Sequence, residues 1–184
     1  MTDTAARYRT VADRFGEVVA RVPPDAWDAP SPCEGWSARD VVRHLVDWIP
    51  AFLAAAGGPA IAPGPSVDDD PAGAWAAIDA GIRSFLDDPA AASSEIDHPY
   101  VGAHRLDDAV GRFFVGDVLV HTWDLARAVG VDERLDPDAV HDMLVAIEAM
   151  DDALRVGGQY GPKVHVGPDA DEQTRLIAFT GRHP

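Results

Sequence analysis

The chain has 184 residues, 47% of them hydrophobic, enough for one domain with a sizeable core. Its 31 acidic against 15 basic residues give a formal charge of −16, which repels phosphate backbones and argues against a nucleic-acid partner. No apolar run reaches the roughly 18–20 residues of a membrane span, the first residues lack the basic-then-apolar form of a signal peptide, and Cys33 is the only cysteine, so neither an internal disulfide nor a Cys-cluster metal site is available.

Val11, Phe15, Val18 and Val22 recur at helical steps and predict a first helix over residues 4–21, closed by Pro23-Pro24. A second helix starts at Ser37, where Ser37-Ala38-Arg39-Asp40 has capping-box form and Trp36 is placed to act as a hydrophobic staple. Its stripe is Val41, Leu45, Trp48 and Phe52, with Val42, Ile49 and Leu53 beside it. Pro50 predicts a kink or an end near Trp48. A Gly/Pro/Asp-rich loop follows to Pro71. The third helix is expected over residues 71–87, with Trp75, Ile78, Ile82 and Phe85 on one face.

Residues 90–102 read as a connection, extended near 96–101. The fourth helix spans 106–129 and stops at Gly130. The fifth opens with Asp136 as cap and Pro137 in its first turn. Its apolar face is Val140, Met143, Leu144, Ile147, Met150 and Leu154. Residues 157–169 are Gly/Pro-rich, and a short last helix covers 171–180. The fold class is therefore all-α, with four long antiparallel helices and two smaller elements forming one domain over residues 1–184. The absence of βα alternation disfavours a nucleotide-binding sheet.

Asp117 and His121 lie four residues apart, on one helical face and about 6 Å apart along the axis. That face also carries Val110, Phe113 or Phe114, Asp124 and Ala128. Burying an unpaired carboxylate costs several kcal/mol, and a metal ion removes that cost by binding the acid and a neutral ring. An Asp–His hydrogen bond or an exposed face explains the same spacing. His44, beside Val41, Leu45 and Trp48, reads alone as a satisfied core residue. Two inward polar faces in one bundle nevertheless call for each other, and bundles build metal sites this way. Asp40, Asp47 and Asp124 stand where each can orient a ring, with capping the competing role for Asp40 and solvation for Asp47. Trp48, Trp75 and Trp123 read as core and rim, and Cys33 as a structural thiol with no base near it in sequence. His98, Tyr100 and His104 belong to a connection placed to cover the site. His141, His165 and His183 carry no site signal.

The run Pro32-Cys33-Glu34-Gly35-Trp36-Ser37-Ala38-Arg39-Asp40-Val41-Val42-Arg43-His44-Leu45, with Asp117-Val118-Leu119-Val120-His121-Thr122-Trp123-Asp124-Leu125-Ala126-Arg127, resembles the metal-binding domain of mycothiol-dependent maleylpyruvate isomerases. It is similar, more narrowly, to the short actinobacterial metal-binding proteins of the DinB-like superfamily, as is the ending Gln173-Thr174-Arg175-Leu176-Ile177-Ala178-Phe179-Thr180-Gly181-Arg182. The resemblance implies a DinB-like four-helix bundle holding a divalent metal, zinc first, with Ni2+, Co2+, Fe2+ or Mn2+ as alternatives. It places the ligands at His44, Asp117 and His121, with Asp117 standing where the isomerases have Glu. The isomerases also carry a C-terminal α/β domain that this chain has no room for.

Relatives of this kind include thiol S-transferases, so the expected function is a zinc-dependent enzyme that uses mycothiol for S-transfer to, or isomerisation of, a small electrophile. The alternative is a non-catalytic metal-binding or interaction module, and below that a metal-free helical scaffold. The expected partners are a small-molecule thiol and its electrophile, with no nucleic acid and no membrane. The apolar faces permit a homodimer, and the cytoplasm is the expected location.

Overall fold

A computed structural model describes residues 4–151, 154 and 160–184. Helix α1 (Thr4–Val19) forms because Tyr8, Val11, Ala12, Phe15, Val18 and Val19 recur every three or four residues, and all six are buried. Its end tightens into bonds from Arg21 and Val22 N–H to the carbonyls of Val18 and Val19, just before Pro23 and Pro24. Helix α2 (Ala38–Ala55) opens on a reciprocal cap. The Ser37 hydroxyl accepts from Asp40 N–H at 3.2 Å, and the Asp40 carboxylate accepts from Ser37 N–H at 2.9 Å.

Of the kink or end expected near Trp48, the end does not occur, because α2 runs through Pro50 to Ala55. An interior proline costs about 3 kcal/mol. Beyond it Phe52 and Leu53 are buried, contributing roughly 1.5–3 kcal/mol each, so packing outweighs the lost hydrogen bond. The following loop is pinned by Val67, which is buried, and by Arg39, which donates to the carbonyls of Val67 and Asp68 at 3.0 and 3.1 Å. Helix α3 (Pro71–Asp87) is capped by Asp70, whose carboxylate accepts from Gly73 N–H at 2.8 Å. It buries Ala74, Trp75, Ile78 and Ile82, while Phe85 stays half-buried.

After the short α4 (Pro89–Ala92), the connection expected to be merely extended is a hairpin. β1 (Glu95–His98) pairs antiparallel with β2 (Gly102–Arg105), with Ile96 opposite His104. Ile96 is the strands' buried anchor, and Asp97 N–H donates to Ala56 carbonyl at 3.0 Å, tying the hairpin to the end of α2. The expected fourth helix has three parts: α5 (Leu106–Ala109), a π-helical turn (Val110–Phe114) and α6 (Val115–Val129). The wide turn, closed by Val115 N–H on Val110 carbonyl, takes one extra residue. It buries Phe114 rather than Phe113 and sets the phase of everything after it. α6 ends at Gly130, whose φ of 69° is the left-handed geometry a helix stop needs.

Helices α1, α3, α2 and α6 pack around a common core in that cyclic order, so α1 lies diagonally from α2. The long stretch between α1 and α2 crosses one end of the bundle. α7 (Pro137–Glu148), capped by Asp136 on Ala139 N–H at 2.9 Å, lies against α6 and against α8 (Glu172–Phe179). Met150, expected on the α7 face, lies past the helix end and is exposed, while Leu154 packs on the core. Residues 157–159 of the expected Gly/Pro-rich segment lie outside the described residues. With α1, α2 and α7 around it, α6 is buried without interruption from Val118 to Ala126, a run that includes His121 and Asp124. The architecture is the expected all-α bundle. Among the described residues no helix is long and apolar enough to cross a membrane.

Candidate metal centre

Two facing helices supply the polar groups. His44 stands on α2, one residue before Leu45 turns into the core. Asp117 and His121 stand one turn apart on α6. His44 Nε2 lies 3.1 Å from Asp117 Oδ2, and His121 Nε2 lies 3.4 Å from Asp117 Oδ1. One carboxylate thus has an imidazole nitrogen opposite each oxygen, and the two rings meet edge to face with centroids 4.7 Å apart. His121 is almost wholly enclosed, whereas the side chains of His44 and Asp117 are each 27% exposed.

The donor set fits a divalent ion. Zinc binds imidazole nitrogen and carboxylate oxygen at about 2.0–2.2 Å, so two such donors at a tetrahedral angle stand about 3.3–3.5 Å apart. His44 and His121 stand 3.1 and 3.4 Å from opposite oxygens of Asp117, near that spacing, and ligand atoms of all three residues lie within 4.8 Å of one another. Three protein ligands leave at least one coordination position for an incoming group.

His121 has its second nitrogen engaged as well. Nδ1 stands 2.9 Å from Asp124 Oδ2, one helical turn on and fully buried. That contact fixes the ring so that Nε2 faces Asp117. Asp124 is held in turn by Arg182, which follows α8: Nε donates to Oδ1 at 2.6 Å and Nη2 to Oδ2 at 2.7 Å. Cys33 completes the group, with Sγ 3.4 Å from Asp124 Oδ2 and 3.4 Å from the Arg182 guanidinium.

These contacts set the protonation of the metal-free centre. Burial disfavours a charged ring at His121, but Asp117 and then Asp124 outweigh it and raise its pKa well above the ordinary imidazole value. Burial likewise opposes ionisation of Asp117, and His121 followed by His44 reverses this, holding the carboxyl far below its usual range. Asp124 follows the same pattern, with burial offset by His121 and Arg182. Without metal, a charged His121 and Arg182 balance Asp117 and Asp124. With a divalent ion and neutral imidazoles, the centre carries one net positive charge.

Above His44 lies an open pocket of about 610 Å³ lined by Gly35, Trp36, Asp40, Arg43, Asp47, Trp48 and Ala51. Trp36 stacks on His121 at 5.8 Å and tilts over His44 at 5.1 Å, and Trp48 stacks on His44 at 6.0 Å. The staple position of Trp36 therefore also makes it a wall of the centre. Asp40 is spent on the α2 cap, as its sequence position suggests, and Asp47 faces the pocket mouth.

His98 stacks on Phe52 at 4.4 Å, and Phe52 touches Trp48 at 5.6 Å, so the hairpin reaches the site only through two aromatic layers. His104 sits on Phe113 and the Val101 carbonyl, and Tyr100 projects into solvent. His141 ties α7 to Glu172 at the start of α8. Sequence spacing could not reveal Arg182 and Cys33 as neighbours of Asp124, because 58 and 91 positions separate them from it. The one available signal was their place within the motifs of the family resemblance.

The family model described as the mycothiol maleylpyruvate isomerase N-terminal domain matches residues 8–126, which include His44, Asp117, His121 and Asp124. Two uncharacterised proteins of Mycobacterium tuberculosis, from strains CDC 1551 / Oshkosh and ATCC 25618 / H37Rv, are each 30% identical to the chain over 194 residues, covering 98% of either sequence. No solved structure matches.

Proposed function

The chain belongs to the mycothiol maleylpyruvate isomerase N-terminal domain family, and from that premise we propose that it binds a divalent metal, zinc first, through His44, Asp117 and His121. We propose further that it uses the centre to activate a low-molecular-weight thiol, mycothiol, toward a small electrophile. The convergence of two imidazole nitrogens on the two oxygens of Asp117, with His44 lining a pocket beside Trp36 and Trp48, carries this reading.

When bound, such an ion supplies positive charge that favours thiolate over thiol at neutral pH. The single net positive charge left on the loaded centre matches one thiolate. The chain's own sulfur is not the nucleophile in this reading, since Cys33 faces Asp124 and Arg182 behind His121 rather than lining the pocket. An external thiol is therefore required.

Trp36 and Trp48 offer flat apolar faces to the thiol or the electrophile. Arg43, anchored to Asp68 at 2.6 Å and beside Asp40, presents donors at the mouth, and Asp47 presents acceptors there. The thiol S–H bond breaks with its proton passing to solvent, and the sulfur lone pair forms a C–S bond to the electrophile. In S-transfer that bond persists and a leaving group departs with its electron pair. In isomerisation the C=C π bond opens as the C–S bond forms, its electron pair moving onto the conjugated carbonyl as an enolate. The C–C bond, now single, rotates, the pair returns to re-form C=C, and the C–S bond breaks to release thiolate, which regains a proton from solvent.

The test is turnover by the zinc-loaded protein with mycothiol and either maleylpyruvate or a halogenated aromatic, followed by chromatography. Product that needs both thiol and metal, and vanishes with chelator, is the expected result. A zinc-loaded protein that neither binds mycothiol in calorimetry nor turns over any such electrophile would reduce the function to metal binding alone.

A further inference from the structure

The proposed ligand set uses only one nitrogen of His121, and the other belongs to a second cluster. Cys33, Asp124 and His121 also present ligand atoms within 4.8 Å of one another. Taken alone, a thiol, a carboxylate and an imidazole at that spacing are a soft-metal site competing for the same ring. Arg182 changes the meaning of that cluster. Its guanidinium grips both oxygens of the fully buried Asp124 and reaches Cys33 Sγ, with only 15% of its own side chain exposed. A fixed positive charge already stands where a second cation would bind, and like charges at this range in a buried setting repel strongly. The fork also leaves Asp124 a single orientation, with Oδ2 set to accept from His121 Nδ1.

We propose that Arg182 is a positioning residue for the metal centre: it fixes Asp124, Asp124 fixes His121 with Nε2 toward Asp117, and the guanidinium bars metal from the Cys33 side. The proposal rests on the reading of His44, Asp117 and His121 as ligands. It makes the segment after α8 part of the site. Gly181, at φ 92°, turns the chain just before Arg182, whose guanidinium contacts both Asp124 and Cys33. The choice between two donor sets on one imidazole is thereby made by a residue that touches neither the ion nor the pocket.

The full-length protein, Arg182→Gln and Arg182→Lys are compared for zinc affinity by chelator competition and for the absorption of their cobalt(II) forms. Groups behind a metal ligand typically contribute about 10–100-fold to affinity. Arg182→Gln is expected to weaken zinc by that factor and to give cobalt a near-ultraviolet thiolate charge-transfer band, which Cys33→Ser in the same background removes. Arg182→Lys keeps the charge without the fork, so zinc weakens severalfold and no sulfur band appears.

Breaking a buried ion pair is strongly destabilising. Should Arg182→Gln not fold, the lysine variant decides through its affinity. Zinc affinity within about twofold of the parent in the folded variants overturns the proposal. So does a folded glutamine variant whose cobalt spectrum stays free of sulfur. Failure of the parent itself to bind zinc is a different outcome and removes the ligand reading beneath.

Discussion

Replacing His121 with alanine removes one of the three proposed donors while leaving the rest of the centre satisfied. Asp124 keeps both hydrogen bonds from Arg182, and Asp117 keeps His44, so no buried carboxylate is stranded. The packing lost beside Trp36 and His44 costs about 2–4 kcal/mol, within the stability of an ordinary domain. The effect on metal is larger. Four-ligand zinc sites in peptides bind with roughly 10–16 kcal/mol, on the order of 3–4 kcal/mol per ligand. One ligand fewer thus weakens binding by about two to three powers of ten. Thermal unfolding with and without zinc reads this directly. Free zinc at about 100 times the parent's Kd adds about 2.7 kcal/mol to the parent, while a 100-fold weaker variant gains only about 0.4 kcal/mol at the same concentration. A folded His121→Ala protein that still holds one equivalent of zinc, with the parent's full thermal shift, would refute the ligand assignment.

Zinc loading must displace the proton that Asp117 and Asp124 hold on His121, so affinity rises with pH and a proton is released per ion. Calorimetry in two buffers of different ionisation enthalpy measures that release, and its absence at neutral pH would contradict the assigned protonation. In the metal-free protein the raised His121 pKa stabilises the fold fully below about pH 6.5 and loses that contribution as pH climbs through the folded value. The depressed Asp117 and Asp124 values contribute fully above about pH 4 and lose it as pH falls through theirs. Urea midpoints of the parent should therefore decline on the alkaline side more than those of His121→Gln, and parallel profiles would argue otherwise. Cobalt(II) should quench tryptophan fluorescence chiefly through Trp36 and Trp48, whose rings lie within about 6 Å of the ligand imidazoles. Quenching that persists undiminished in the double Trp→Phe variant would place the ion elsewhere. Gly130→Ala meets no steric neighbour but forces a side chain into φ 69°, so it should cost about 1–2 kcal/mol in chemical denaturation with zinc binding unchanged.

The helical stripes were legible because burial imposes their spacing. Val11, Phe15 and Val18 on α1, and Val140, Met143 and Leu144 on α7, are buried as the periodicity requires. The caps at Ser37 and Asp136 were legible for the same local reason. Pro50 suggested a helix end that does not occur, because a local penalty was weighed without the burial of Phe52 and Leu53 beyond it. The hairpin was read only as extended chain, since its strands are four residues each and Ile96 alone is buried. At the centre, the Asp117–His121 spacing and the Asp124 contact are properties of one helix and could be read from it. That His44 meets them depends on α2 packing against α6, which the chain's periodicity suggests but does not specify. Trp36 over both imidazoles, and Arg182 between Asp124 and Cys33, depend wholly on tertiary placement. No local pattern in the chain encodes them.

Anomalous diffraction at the zinc edge, from crystals of the zinc-loaded protein, tests the central claim most directly. A single strong peak within about 2.0–2.2 Å of His44 Nε2, His121 Nε2 and an Asp117 oxygen, open toward Trp36 and Trp48, is the result this account requires. A peak bounded by Cys33 and Asp124, or none near α2 and α6, would contradict it.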